Sequence, residues 1–363
     1  MKNGLATCPC RLRRGVAAAS AFLFLALLRC GGQPAASSSP LDAAAGDDLI
    51  ATPQGPPDAA SPDAVIDGGN PAAQPGDAEG GPGASDASLD AASPPINYAV
   101  WGFAANDVWV GDDTGVMTHW DGTVFHPFST TAPASVRSIW GASTNDVWAA
   151  AEYEMLHWDG AHLTAVSVPT QLLFVTAVSG SAASDVWAVG QAGVAVHWDG
   201  HTWTSYPTGI NSSMDLESVW VKSPTEAYAV GGFSSPAMIK WNGSTWAPFP
   251  IGGVDTGLTS VWGSSPSDLW IGGWTGVFHF DGSQWATTPA PLAGQPFWHL
   301  WGRGPGDVWA VGGSAGTGLA FHNDGAHWST VDVGRADSLR SVWSAGGAGN
   351  TWFVGDVGTL VRR

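Results

Sequence analysis

A motif returns seven times between residue 101 and the end of this chain, at intervals of 39 to 42 residues, and a period of that size leaves few folds open. Trp101, Trp140, Trp220, Trp262, Trp301 and Trp343 each open a copy, four of them followed by Gly, and Ser179 is the single replacement. Asp-Val-Trp follows at Asp107, Asp146, Asp185 and Asp307, with the variants Asp268-Leu269-Trp270, Glu226-Ala227-Tyr228 and Asn350-Thr351-Trp352. An acid or amide followed by Gly then closes six copies, at Asp121, Asp159, Asp199, Asn242, Asp281 and Asp324.

The third copy shows what one period contains. Val186 to Val189 and Val194 to Trp198 are short runs rich in Val and Trp, and each reads as a strand. Both runs are apolar on both faces, so both faces must be covered by neighbouring sheets. Asp199-Gly200 reads as a type I′ hairpin turn, and a further strand begins at Trp203. Four strands in a period of 40 to 45 residues describe one blade of a β-propeller. The expectation is therefore an all-β fold, a single seven-bladed β-propeller over 96–363, with six blades as the alternative. The last copy ends without an Asp-Gly turn, so its blade should have three strands or be patched by residues near Pro94.

The chain ahead of the repeats has a different composition. Residues 1–30 carry Arg11, Arg13 and Arg14 before an apolar run from Val16 to Leu28, which is an export signal too short to span a bilayer comfortably. An uncleaved anchor is the alternative. Residues 31–95 are rich in Ala, Pro, Gly, Ser and Asp, with ten acidic and no basic residues, and are expected to form a disordered, extended linker. Cys8, Cys10 and Cys30 are the only cysteines and all fall in the signal, so the exported domain is expected to stand without disulfides.

Leu27-Leu28-Arg29-Cys30 resembles the lipobox of bacterial lipoproteins, with Arg29 where that family has a small residue. The resemblance implies lipidation at Cys30 and an outer-membrane or cell-surface location, the alternative being a periplasmic or secreted protein. The repeat as a whole resembles bacterial surface propellers. Its Asp-Gly-x-x-Trp turn, as in Asp199 to Trp203, is similar to the Asp-box of sialidase-like propellers with one residue fewer between Asp and Gly. The Trp-Gly element is similar to that of tectonin-type lectin propellers.

Between 96 and 363 there are eight basic and twenty-one acidic residues, a net charge of −13. Such a surface repels phosphate backbones, which excludes nucleic acid and leaves the lipid anchor as the only route to a membrane. A glycan or a cell-envelope protein is the expected partner, and the chain reads as a monomer. No cofactor or metal is expected. His119, His157, His197 and His279 sit at equivalent places in different copies, too far apart in a ring to share an ion, and read as locally bonded side chains. The Asp of Asp-Val-Trp reads as closing an Asx turn.

Sialidase-like catalysis needs three convergent Arg with a Tyr and Glu pair, and no nucleophile elbow, phosphate loop or zinc motif stands in its place. The chain is thus read as a non-catalytic recognition module, with a glycan-active enzyme or an envelope scaffold factor as the alternatives. Loops joining first to second and third to fourth strands are nearly constant, whereas those joining second to third strands and the blade crossings vary. Function gathers on variable loops held by a rigid scaffold. Trp274 and Trp298 add aromatics that the repeat does not require, Tyr153 and Phe233 do so too, and these are candidate stacking platforms or anchors. Beside them, His299 and the matched pair Arg137 and Arg340 complete the candidate ligand-binding set.

Overall fold

In each copy the apolar runs around Asp-Val-Trp become neighbouring strands of one antiparallel sheet, and the segment after the Asp-Gly turn adds an outer strand. A computed structural model describes residues 93–129, 134–169, 174–314 and 316–363; the signal, Cys30 and the linker up to residue 92 lie outside the described residues. The sheets are blade 1 (97–129), blade 2 (136–166), blade 3 (175–205), blade 4 (216–248), blade 5 (258–287), blade 6 (297–330) and blade 7 (339–362). Each first strand lies beside the first strands of both neighbouring blades, and blade 7 lies beside blade 1. The chain is a closed, all-β, seven-bladed propeller, and the six-bladed alternative falls.

Blades 1 to 6 have four strands, and blade 7 has three. The turn of blade 7 is held by the incoming chain: Gly358 N–H donates to the Pro95 carbonyl at 2.7 Å, and the Asn97 side chain donates to the Thr359 carbonyl at 3.1 Å. Blade 7 is thus three-stranded and is patched by residues next to Pro94, as the last copy's missing turn led one to expect.

The repeated Trp-Gly pair is an instruction for packing one blade on the next. A Cβ on Gly180, Gly263 or Gly302 would stand 2.6 to 2.9 Å from the ring of Trp140, Trp220 or Trp262, the leading Trp of the preceding blade, and Gly102 meets Trp343 in the same way. Gly is therefore required because an indole lies where its side chain would be. At the one junction where the leading Trp is absent, Ser179, the next blade carries Val221 in the Gly slot, buried, with its N–H donating to the Ser179 hydroxyl. Space vacated by one residue is filled by the other.

A second aromatic layer runs outside the first. Trp148 of blade 2 packs on Trp198 and Trp203 of blade 3, Trp187 of blade 3 packs on Trp241 and Trp246 of blade 4, and Trp270 of blade 5 packs on Trp328 of blade 6. Trp352 of blade 7 meets Trp120 and Phe125 of blade 1, so the ring closes through the same kind of contact. These pairs bury large apolar areas at centroid distances favoured by edge-to-face and tilted rings.

The Asp-Gly turns differ from the type I′ expectation. The loop holds four residues, as Asp121 to Val124 between paired Trp120 and Phe125, and only its Gly has positive φ. The reason lies in the Asp side chain: Asp121 Oδ1 accepts the N–H groups of Thr123 and Val124 at 2.7 and 2.8 Å, an Asx arrangement repeated in the other copies. The Asx role thus belongs to this Asp and not to the Asp of Asp-Val-Trp. These bonds favour the ionised form, and Asp281 is held down to about 2 from the ordinary 3.8, first by the Ser283 hydroxyl and then by backbone N–H groups.

A group with a lowered folded pKa contributes stability that is complete above its unfolded pKa and is lost as pH falls through the folded value. Asp281→Ala is expected to lower the melting temperature at pH 7, and the gap from the parent should narrow as pH approaches 2. Asp281→Asn should keep most of the parent's stability at pH 7, because Asn242 already makes the same two backbone bonds in blade 4. A scan of melting temperature against pH checks both.

Candidate binding site at the channel mouth

Three residues before the leading position of each copy, the first strand departs from its ladder. The pairing skips Tyr98, Arg137, Thr176, Glu217, Thr259, Trp298 and Arg340, one in every blade. A bulge inserts an unpaired residue and re-aims its side chain. All seven line one cavity of about 530 Å³ in the central channel. Unlike the leading Trp positions, this ring is chemically mixed.

Several members of the ring are already engaged. Arg340 forms a fork with Asp356 through bonds of 2.7 and 3.1 Å. Thr176 and Thr259 place their hydroxyls against the carbonyls of Leu216 and Phe297 in the next blade. Trp298 donates its indole N–H to the Gly313 carbonyl at 2.8 Å, with the Ser338 hydroxyl at 3.1 Å. Arg137 lies over the Tyr98 ring at 5.0 Å and reaches Glu152 only at 3.9 Å. The Glu217 carboxyl makes no hydrogen bond among the described residues, and burial, with Asp215 adding and Arg137 opposing, pushes it up to about 6.

Immediately after this ring, the next residue ties blades together in five of the seven first strands, Ala99 and Ala177 standing at the other two. The hydroxyls of Ser138, Ser218, Ser260 and Ser341 accept the N–H groups of Val178, Val261, Leu300 and Val100 in the following blade. His299 takes the same place in blade 6, its Nδ1 accepting the N–H of Val342 and the hydroxyl of Ser341, both at 3.3 Å. Nδ1 must keep its lone pair for this role, and burial pushes the imidazole down to about 4. His299 is a neutral blade-to-blade tie on the channel wall.

The variable loops surround this mouth. Gln191, Gly232, Trp274, Gly313 and Asp356, which close second strands, donate to the carbonyls of Phe174, Asp215, Gly257, Pro296 and Ser338, which precede the first strands of the same blades. Second-to-third loops and crossings therefore share one face. The Asp-Gly turns share the other face with the first-to-second loops: a Cβ on Gly122 or Gly282 would meet Asn106 or Ser267 at 2.7 Å.

The sequence candidates separate into groups on the variable face. Arg137, Arg340, Trp298 and His299 come together at the cavity. Trp274 meets Trp298 edge to face at 4.8 Å, and Phe233 meets Trp274 likewise at 5.3 Å, a row leading outward from the mouth. Trp298 also carries Arg340 at 5.4 Å over its ring, so the two Trp form a packed corner where an open stacking platform was expected. Tyr153 pairs with Phe174 at 4.5 Å elsewhere on this face. Phe233 and Tyr153 remain 61% and 50% exposed.

Sequence reasoning missed Tyr98, Thr176, Glu217 and Thr259. Counting back three residues from each leading position identifies all of them, a column that mixes aromatic, charged and hydroxyl side chains.

The histidines resolve as local partners. His119, His157, His197, His279 and His322 each bond the Asp of their own blade's Asp-Val-Trp at 2.6 to 2.8 Å. Each also packs on its Trp at 4.0 to 4.6 Å. His322 escaped the sequence pattern because Asn323 replaces the aromatic that follows the others. Blade 4 changes the trio in concert to Glu226, Tyr228 and Lys240, with Lys240 2.6 Å from Glu226 and over the Tyr228 ring. Among the described residues no group of three His, Cys, Asp or Glu converges on a common point.

No family model matches the chain, and no curated protein does. Solved structures do resemble it. YCF48 bound to a D1 peptide superposes with a TM-score of 0.59 at 17% identity, over 75% of this chain and 92% of that one. An inactive virginiamycin B lyase from Staphylococcus aureus with quinupristin gives 0.64 at 10% identity, over 75% and 96%. The extracellular domain of a hybrid two-component system of B. thetaiotaomicron gives 0.56 at 12% identity, over 74% of this chain and 40% of that one. At such identities the likeness is one of fold alone.

Proposed function

We propose that this chain is an exported, non-catalytic recognition module that seats part of a protein partner at the channel mouth and on the variable loops around it. The observation that carries the reading is the ring of seven bulged residues, a varied set of side chains delivered to one cavity by an otherwise repetitive frame. Exposed Phe233 and Tyr153 on the surrounding loops suit a protein surface, because an aromatic anchor contributes most where a partner covers it. A sugar needs an open ring face, and Trp298 and Trp274 are turned against one another. The similar propeller bound to a peptide is consistent with this choice. The lipobox-like Cys30 supplies the surface anchor in this reading.

A glycan-active enzyme is the second reading. The observation in its favour is that Arg137, Arg340, Tyr98 and Glu217 share one cavity and that Glu217 titrates near 6, a value suited to a general acid. Against it stands the fork between Arg340 and Asp356, which spends the cation that a substrate carboxylate would need.

The two faces offer a direct test. A photo-crosslinking side chain placed at Phe233 or Tyr153 is expected to trap a cell-envelope protein, whereas one at Val124, 51% exposed on the Asp-Gly face, should trap nothing specific. Trapping from Val124 with none from the other two would defeat the proposal, and turnover of a sialoside or other glycan would favour the second reading.

A further inference from the structure

The ring at the mouth can be sorted by what each side chain still lacks. Arg340 is spent on Asp356, Thr176 and Thr259 on backbone carbonyls of the next blade, and Trp298 on Gly313 and Ser338. Arg137 is 43% exposed, so water satisfies its guanidinium. Glu217 differs from all of these. It is half-buried in the channel wall and lines the cavity, and no protein donor among the described residues reaches its carboxyl. A half-buried carboxylate with no protein partner, facing a cavity, is free to receive a donor from a guest.

We infer that Glu217 is the receptor for a protonated nitrogen, a Lys or Arg side chain that the partner protein inserts into the channel mouth. The inference rests on the recognition reading above and names the chemistry of its ligand. Charge decides between a cationic and an anionic guest. The charged residues lining the cavity are Glu217, Arg137, Arg303 and Arg340; each Arg has a carboxylate beside it, Glu152, Asp307 and Asp356, which leaves Glu217, with Asp215 near it, as the uncompensated charge. The domain as a whole carries −13 and steers cations inward. Aromatic rings at the mouth already hold cations, Arg137 and Arg340 over Tyr98 and Arg340 over Trp298. A long flexible side chain with a charged tip matches a cavity of about 530 Å³ opening toward solvent.

The site should switch off in mild acid. A carboxyl titrating near 6 is mostly ionised at pH 7.5 and about one-tenth ionised at pH 5, so affinity for a cation should fall about tenfold between them. The groups facing Glu217 are Asp215 and Arg137, and further round the mouth Glu152, Arg340 and Asp356. His299, pushed down to about 4, stays neutral across that window and adds no charge of its own.

The test uses the full chain and three five-residue peptides that differ only at the centre, with Lys, Arg or acetyl-lysine, titrated by calorimetry at pH 7.5 and pH 5. Lys and Arg peptides are expected to bind at least tenfold tighter than the acetyl-lysine peptide at pH 7.5, and to lose about that factor at pH 5. Glu217→Gln should remove the preference at both pH values while leaving the melting temperature close to the parent's, and Glu217→Asp should retain part of it. Three results would overturn the inference: equal binding of all three peptides, a preference that survives Glu217→Gln, or selective binding of a glucosamine oligomer in place of the peptides. If Phe233 and Tyr153 crosslink a partner whose capture ignores Glu217→Gln, this inference fails and the recognition reading stands. If they trap nothing while the peptide preference holds, Glu217 still receives a protonated nitrogen and the partner-protein reading fails.

Discussion

Trp187→Ala is expected to destabilise the propeller by about 3 to 5 kcal/mol, the range seen when a fully buried large aromatic is cut back to a methyl group. Trp187 is fully buried, and its ring sits 4.8 Å from Trp241 and 5.0 Å from Trp246 across the junction of blades 3 and 4, with Tyr206 and His197 completing the cluster. Two sheets would therefore face one hole, and neither can close it alone because each is pinned by its own ladder. Against a typical total of about 5 to 15 kcal/mol, such a loss brings the domain near its threshold. Urea unfolding followed by tryptophan fluorescence measures it, and Trp187→Phe should cost less. A loss below about 1 kcal/mol would mean that blade 4 slides inward, contrary to the rigid junction described here.

The second large effect is expected at the junction where Ser179 replaces the leading Trp. Ser179→Trp alone should destabilise by about 1 to 3 kcal/mol, the cost of forcing extra volume into a packed core, since Val221 occupies the place where an indole would lie. Val221→Gly alone should also destabilise, because it leaves a gap and frees backbone. Together the two changes recreate the Trp-on-Gly contact made by Trp140 with Gly180 and by Trp220 with Gly263. The double variant should therefore be more stable than the sum of the singles predicts by about 1 kcal/mol or more, the signature of residues in direct contact. Additive losses would show that the Trp-Gly pairing at the other junctions does not transfer to this one.

The junctions between blades show why the fold was legible in the sequence and the site was not. Trp140, Trp220 and Trp262 recur because their junctions set the same steric problem, and repetition is what a reader of sequence detects. The Asp-Gly turn was found for that reason, and its loop type was misjudged because Asp121 acts through its side chain, not through a left-handed backbone. His322 was overlooked because one neighbour, Asn323, departed from the pattern. The mouth carries the opposite kind of signal. Tyr98, Glu217 and Trp298 have nothing in common except a register, so they become visible only once the ladder shows which residue it skips. Trp298 was noticed as a surplus aromatic, but its engagement with Gly313, Ser338 and Trp274 depends on distant parts of the chain.

The bulge that sets those seven residues apart from their ladders also frees them from the register of the sheets. None of them exchanges a strand-pairing bond with the second strand of its blade, so a change of side chain there leaves the sheets' own scaffolding in place. Such a ring behaves like the wheels of a combination lock on a common axle, with Tyr98, Arg137, Trp298 and Arg340 geared to one another. Randomising Tyr98, Arg137 and Glu217 while keeping every Trp, Gly and turn Asp should yield folded proteins with altered ligand preferences, and selection from such a library would put the frame to work for guests it has never met.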